Sequence, residues 1–495
     1  MSLQLYNTMS GKKEPFEPYE PGHVRMYTCG PTVYDYIHLG NARAFVVPDV
    51  IKRYLQWRGY KVTHVQNITD IEDKIIAKAA EEGVPFQVIV DRYTEAYLED
   101  IERLGCQTPT VMPKASEHIP GIIDMIERLI ERGHAYAVGA NVYFAVESHS
   151  DYGALSGQSL DALVAGARVE VDEEKRHPAD FALWKAAKPG EPAWDSPWGP
   201  GRPGWHIECS VMSTHYLGQP FDIHTGGADL VFPHHENEIA QSEAATGKKF
   251  VRYWVHNGYI NVDGEKMAKS AGNFFTVREL FKKYSPQVVR LFLVSKHYRS
   301  PIEFNEEVME ATERGYNRLV DAAELLRELV PEEYVGELKE PVADEEASRL
   351  VQASQDAVDE FVRGMDDDIN TAVALAAIYD LTRQVNAAAH RAQAGASQDM
   401  LRALGHALHT LEALTGVLGL ELARHAPAAE QPAMELVRGL VQLAVDLRSE
   451  ARRERRFDTA DAIRDRLAEL GIILEDTPQG TRWKLSAPDR EARND

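Results

Sequence analysis

Residues 24–29, VRMYTC, form a strand-like run that ends abruptly at Gly30-Pro31. A helix follows from about Asn41, with Phe45, Val46, Val50, Ile51, Tyr54 and Leu55 at helical spacing and Gly59 as its stop. Residues 61–68 then read as a second strand and 70–82 as a second helix. Strand, helix and strand in this order make a βαβ crossover, which commits the chain to a parallel sheet. Strand-like runs that could rejoin this sheet return at 221–225 and 253–260. Between them lie a helical stripe over 115–132, a short strand at Asn141 and a Pro/Gly-rich stretch, 185–205, expected to be irregular. Residues 114–204 therefore read as an insertion into one α/β domain.

Beyond Val277 the pattern changes to helix upon helix, each with apolar residues at a 3.6-residue period. A Pro/Ala-rich linker near residue 425 precedes a tail of two helices and two short strands. The expected division is 1–113 and 205–276 for the two halves of the α/β domain, 114–204 for the insertion, 277–330 and 331–424 for helical regions, and 425–495 for a small α/β tail domain. The chain is long enough, at 495 residues, for about three domains. It shows no internal repeat.

The start of the chain has no signal-peptide core, and no run approaches a membrane span. The only cysteines are Cys29, Cys106 and Cys209, too few for a disulfide framework. The expectation is a cytoplasmic protein without a membrane role. The net charge of −23 opposes a nucleic-acid partner unless basic residues are gathered locally.

One stretch, 231–243, VFPHHENEIAQSE, crowds His234, His235, Glu236 and Glu238 into five residues. It is not the zinc-protease pattern, because Ile239 stands four residues after His235. His234 and Glu238 do share a helix face at i,i+4 spacing. Two ligands do not close a zinc site. On this stretch alone the favoured reading is a solvated helix start.

Two further motifs bear on phosphate chemistry. His38, Gly40 and Asn41 stand at a strand-to-helix junction, where free N–H groups and the helix dipole attract an anion. Lys266 and Lys269, followed by Ser270, form a polar loop after the last strand-like run and suit a polyphosphate. Each alone is weak. Together, His-x-Gly-x and, about 230 residues later, Lys-x-x-Lys-Ser resemble the paired signature of class I aminoacyl-tRNA synthetases. The surrounding blocks at 29–43, 68–75, 201–212, 222–243 and 460–483 narrow the resemblance to the cysteinyl-tRNA synthetases, over nearly the whole chain. Asn41 stands where the class often has a second His, and Ala268 where the lysine loop often has Ser.

The resemblance implies a Rossmann-type parallel-sheet catalytic domain with an insertion, then a helical bundle and a small α/β anticodon-binding domain. It implies ATP-dependent joining of L-cysteine to tRNA(Cys) by a monomer, through a cysteinyl-adenylate. It assigns one zinc per chain to Cys29, Cys209, His234 and Glu238. Catalysis falls to His38, Asn41, Lys266 and Lys269, and ATP binding to these with Gly40, Asp229 and Ser270, Mg²⁺ arriving with the nucleotide. Thr69, Trp205 and His224 are expected to line the amino-acid pocket, where zinc would separate a thiol from a hydroxyl better than shape can. Cys106 is left to packing. Arg452, Arg453, Arg455, Arg456, Arg464 and Arg466, with Trp483 for stacking, are the expected anticodon contacts; salt bridges to Glu454 and Asp458 are the competing reading. Two rival functions are a cysteine:amino-sugar ligase of mycothiol synthesis, which has no need of the tail, and an inactive RNA- or zinc-binding paralogue, against which the intact His38, Lys266 and Lys269 stand.

Overall fold

The computed structural model describes residues 2–159, 174–262, 264–267, 272, 274–425, 431–454, 456–477 and 480–485. The chain forms two compact units, Met1–His425 and Ala426–Asp495.

The sheet of the first unit is the one the βαβ pattern requires. Its strands β3 (His23–Thr28), β4 (Lys61–Gln66), β9 (Phe221–Gly227) and β10 (Val251–Asn257) run parallel in the order β10-β9-β3-β4. Helix α1 (Leu39–Trp57) makes the crossover from β3 to β4 and begins two residues before the expected point. It starts early because His38 and Asn41 cap it reciprocally, each side chain bonding the other's backbone N–H. The helix expected over 70–82 starts later, at Asp73, because the Glu72 side chain accepts the Lys74 N–H as its cap. Two parts of this unit are absent from the sequence reading. One is a hairpin, β1 (Gln4–Asn7) with β2 (Lys12–Pro15); the other is a helix over Phe86–Arg103.

The insertion is more ordered than its composition implies. A helix over Ile119–Glu131 leads into an antiparallel sheet of β5 (Ala135–Val138), β6 (Asn141–Phe144), β7 (Phe181–Ala186) and β8 (Gly201–Pro203). The Pro/Gly-rich stretch is thus bounded by paired strands, not irregular throughout. Trp184 and Phe144 are fully buried inside this part.

After β10, a short strand β11 (Ile260–Val262) pairs with β12 (Glu265–Lys266) and β13 (Ile302–Phe304). The expected helices follow at Glu306–Leu329, Glu345–Asp366 and Thr371–Ala392, and a further one spans Gln398–Val417. The second unit has helices over Gln431–Arg453 and Phe457–Glu469 and the antiparallel pair Ile472–Thr477 and Gly480–Leu485. Val441, Val445, Leu467 and Ile472 form its core.

Buried charges join α1 to the helical bundle. Asp49 on α1 accepts from Arg290 and Arg53, while Arg290, fully buried, also donates to the Leu418 and Leu104 carbonyls. Burial alone would raise the Asp49 carboxyl, but Arg290, Arg53 and the Gln107 N–H outweigh it and hold its pKa below the usual range. Cys106, half-buried rather than fully so, lies beside the same arginine. Removing the carboxylate leaves Arg290 charged in the core without compensation. Asp49→Asn is expected to destabilise the first unit by about 3–5 kcal/mol, read from its urea midpoint; a shift below 1 kcal/mol would mean that the backbone carbonyls alone satisfy Arg290.

Candidate active site and metal cluster

The C-terminal ends of the parallel strands open onto a cleft of about 400 Å³. Ligands of open parallel α/β sheets bind at this edge. The cleft is lined by Cys29, His38, Gly40, Asn41, Trp205, Asp229 and Lys266, all expected site residues, together with Tyr34, Lys74, Asn257 and Tyr259. Thr69 and His224 are not in that wall. Thr69 is buried behind it and accepts from Asn67 Nδ2 at 3.0 Å. Lys269 and Ser270 lie outside the described residues, as do Arg455 and the side chain of Trp483. In the second unit, Arg456 pairs with Glu454, and Arg464 with Asp461 and Asp465.

The residues around the two phosphate motifs fit tightly. A Cβ on Gly40 would stand 3.0 Å from the His38 ring and 3.2 Å from Met267 Cε, so a side chain there would fit only if one of these neighbours shifted by a few tenths of an ångström. Asp229 lies in the short helical turn Ala228–Leu230, whose N-cap is Gly227; Asp229 is exposed in the cleft and does not act as the cap.

At one side of the cleft the polar run 231–243 is buried, contrary to the solvated reading. His234, His235, Glu236, Asn237 and Glu238 are each at most 2% exposed. They avoid the cost of burial by meeting partners brought from distant strands. Cys29 follows β3, and Cys209 sits in the helix Trp205–Leu217 that starts where the Pro/Gly stretch ends. Cys29 Sγ is 3.8 Å from Cys209 Sγ and 3.5 Å from Glu238 Oε1, and His234 Nε2 is 3.0 Å from Glu238 Oε1. Cys29, Cys209, His234 and Glu238 offer ligand atoms close enough for one ion. So do Cys29, His224, His235 and Glu238.

The surrounding groups distinguish the two sets. Glu238 Oε2 accepts from His224 Nε2 at 2.9 Å, which leaves Oε1 facing Cys29 and His234. His234 Nδ1 donates to His206 Nδ1 at 2.9 Å, leaving Nε2 toward the cluster. Such outer contacts fix the orientation of a metal-binding His and carboxylate. His235 touches Cys29 Sγ at 3.3 Å and is backed by His256, which in turn contacts Thr8. Its Nε2 is 3.9 Å from Glu238 Oε1, a looser approach than that of His234. The first set also supplies two thiols where the second has one.

Burial pushes His206 and His235 well below the usual imidazole range and His256 down to about 3, so these rings are neutral. Burial would likewise neutralise His234 and Glu238, but their contacts prevail: Cys209 and Glu238 raise His234, while His224 and His234 lower Glu238 to about 2. Cys209 is lowered, chiefly by its contact with Cys29, and Cys29 is raised by burial and by Cys209. The cluster is a dry set of soft and anionic groups ringed by neutral histidines. The sequence alone does not single out His206 or His256, and it offers His235 only as the start of a zinc-protease pattern that does not hold. The available signal was a histidine at a buried position of each strand, His224 on β9 and His256 on β10.

The chain was compared with known proteins. A family model described as the class I (C) tRNA synthetase catalytic domain matches residues 15–314. A DALR domain matches 360–423, and a cysteinyl-tRNA ligase anticodon-binding domain matches 446–483. The cysteine–tRNA ligase of Heliobacterium modesticaldum is 52% identical, over 98% of this chain and 100% of its own length. The chain belongs to the cysteinyl-tRNA synthetases. The cysteine–tRNA ligase of Moorella thermoacetica is also 52% identical, again over 98% of this chain and all of its own length. Among solved structures, methionyl-tRNA synthetase of Mycobacterium tuberculosis bound by methionyl-adenylate superposes with a TM-score of 0.58 at 16% identity, covering 80% of this chain and 89% of that one. LeuRS of Agrobacterium radiobacter K84 gives 0.58 at 12% identity, covering 84% and 87%. These two establish the class I fold alone. Within this synthetase fold, Cys29 reaches the cluster because the next residue carries no side chain. A Cβ on Gly30 would lie 1.5 Å from the Asn67 carbonyl oxygen, while the Gly30 N–H donates to Asn67 Oδ1. Gly30→Ala is expected to cost about 1–3 kcal/mol or more in denaturant unfolding. Gly439→Ala, on an open helix face, should be neutral or stabilising; equal effects at both positions would remove this constraint.

Proposed function

We propose that the protein activates L-cysteine with ATP and transfers it to the 3′ end of tRNA(Cys). The observation that carries this reading is the cleft itself. Its one lining holds Cys29 of the soft-ligand cluster together with His38, Asn41 and Lys266 of the phosphate motifs. A cysteine carboxylate oxygen attacks the α-phosphorus of ATP, and pyrophosphate leaves with the bonding pair. The terminal ribose hydroxyl of tRNA then attacks the adenylate carbonyl and releases AMP. His38 and Asn41, at the start of α1, and Lys266, with Lys269 and Ser270 beyond it, stabilise charge on the phosphates, with Mg²⁺ arriving on the nucleotide. Asp229 accepts from the ribose hydroxyls. The match of 446–483 to a cysteinyl-tRNA ligase anticodon-binding domain favours this reading over an amino-sugar ligase. The divisions at 113, 204, 276, 330 and 424 follow as functional parts, with 277–330 meeting the tRNA stem.

Cys29, Cys209, His234 and Glu238 would hold a zinc ion. Tetrahedral bonds of about 2.3 Å to sulfur and 2.0–2.2 Å to nitrogen or oxygen place S–S neighbours near 3.8 Å and S–O neighbours near 3.6 Å. The separations of 3.8 Å between the two sulfurs and 3.5 Å from Cys29 to Glu238 fit that spacing. When bound, the ion supplies a soft acceptor for the substrate thiolate, which a serine hydroxyl cannot match. Trp205 packs on His234, ring centroids 4.2 Å apart, and holds it from the cleft side. His224 holds Glu238 from behind. Thr69, buried behind the cleft wall, supports the pocket from outside it through Asn67.

The full chain should give cysteine-dependent ATP–pyrophosphate exchange and should charge tRNA(Cys). A chain ending at His425 should keep the exchange and lose most of the charging. No exchange from the full chain would end the proposal, and undiminished charging by the shorter chain would end the anticodon role of 426–495. For the metal, Cys209→Ser and His234→Ala should each lower the zinc content of the purified protein below about a tenth of the wild-type level, since even outer-contact changes cost about 10- to 100-fold in metal affinity. Cys106→Ser should leave it unchanged. Zinc retained by Cys209→Ser but lost on His235→Ala would move the site to the alternative ligand set.

A further inference from the structure

Lys266 is placed with more care than a solvated loop lysine needs. Its backbone is paired in β12 against Asn261 of β11, and the next residue, Met267, donates its N–H to the Ile260 carbonyl at 2.9 Å. Its ammonium then folds back over the ring of Tyr259, 3.7 Å from the centroid. Tyr259 lines the same cleft and keeps 36% of its surface exposed, so its ring is a wall of the nucleotide site rather than core packing.

The backbone beneath that ring is fixed by α1. Arg43 is fully buried, and its guanidinium donates Nη1 to the Gly258 and Tyr259 carbonyls at 2.8 and 2.9 Å, and Nη2 to the His297 and Ser300 carbonyls. The Ile302 N–H donates to the Tyr259 carbonyl as well. Gly258 closes the fit: a Cβ there would meet the Arg299 carbonyl oxygen at 2.5 Å. Arg43 stands about half a turn beyond Asn41, on the helix that His38 caps. One helix thus presents the first phosphate motif and anchors the platform on which the second motif's leading lysine rests.

We propose that Tyr259 is a positioning residue for Lys266, its ring holding the ammonium at the height of the phosphates through a cation–π contact. This rests on the reading of Lys266 as a phosphate-binding residue. The ring is electron-rich over its face, and a lysine head there keeps its charge while losing rotamer freedom. The phenol hydroxyl has no part in this, so Phe should serve where Leu cannot.

The test is a double-mutant cycle in the full-length protein, read by ATP–pyrophosphate exchange with separate turnover and KM for ATP and cysteine. Tyr259→Leu should lower turnover about 2- to 10-fold, the range of one cation–π contact at a partly exposed site, with the KM for cysteine unchanged. Tyr259→Phe should stay within about 2-fold of wild type by the same criterion. In a Lys266→Ala background, Tyr259→Leu should have no further effect. Loss of activity that is equal in both backgrounds, or a Phe variant as impaired as Leu, overturns the proposal. Normal turnover in Lys266→Ala alone would instead remove Lys266 from the phosphate site, a failure of the functional reading. Thermal melting of Tyr259→Leu should match wild type, and a lowered melting temperature with the same loss in both backgrounds would mark the ring as structural.

Discussion

Helix α1 must satisfy buried charges in more than one direction, and the geometry of the site follows from how it does so. Arg43, Asp49 and Lys52 all lie on its buried faces. A charge taken from water into the core is tolerable only with fixed partners. Arg43 takes backbone carbonyls at 258–259 and 297–300, Asp49 takes Arg53 and Arg290, and Lys52 donates to the Thr108 carbonyl. Apart from Arg53, which is one turn along the same helix, each partner belongs to a different stretch of chain, and these contacts fix the position of the helix. Its capped start is pinned as well: the Leu39 N–H donates to the Phe275 carbonyl and the Val277 N–H to that of Ile37. Residues 275–277, beyond the lysine motif, are therefore referenced to the element that carries His38 and Asn41, and residues 258–259, before the motif, are held to it through Arg43.

The same rule, that a buried polar group needs a partner, explains what the sequence could and could not reveal. The βαβ frame was legible because Phe45, Val46, Val50 and Ile51 repeat at helical spacing between two short apolar strands. Periodicity records a face turned toward a core. The i,i+4 relation of His234 and Glu238 was legible too, but their burial was not. Five consecutive polar residues look solvated until Cys29, His224, Tyr152 and the Leu155 and Ser156 N–H groups are brought to them by the fold. Only the resemblance of whole blocks joined Cys29 and Cys209 to that pair. Of the insertion's sheet only the strand at Asn141 was legible; the other strands, three to six residues long, have too few positions to show a period of two.

Charge balance gives a reason for the ring of neutral histidines. Two thiolates and a carboxylate in one buried pocket would carry three negative charges, which a dication would offset only in part. Further anions nearby would add repulsion at short range and low dielectric. His206, His235 and His256 instead supply oriented dipoles and hydrogen bonds without net charge, and Trp205 and Trp254 close the remaining faces. Glu208, beside Cys209, fits this logic. It is fully buried, and its carboxyl is raised well above the usual range, first by burial and then by Cys209. It adds bulk and polarity to the helix without adding a fourth negative charge.

The net charge of −23 bears on how a polyanion is received. Long-range repulsion from an acidic surface slows the approach of tRNA, and salt screens it beyond about 8–10 Å. Contacts that neutralise phosphates act at shorter range and weaken as salt rises. The described arginines of the second unit are partly committed already, Arg456 to Glu454 and Arg464 to Asp461 and Asp465, on exposed surfaces where such pairs are worth little. A phosphate can replace a carboxylate in these pairs at small cost, because both are anions held by the same guanidinium fork. The pairs are therefore compatible with the proposed anticodon contacts, because exposed ion pairs of this kind cost little to exchange for a phosphate.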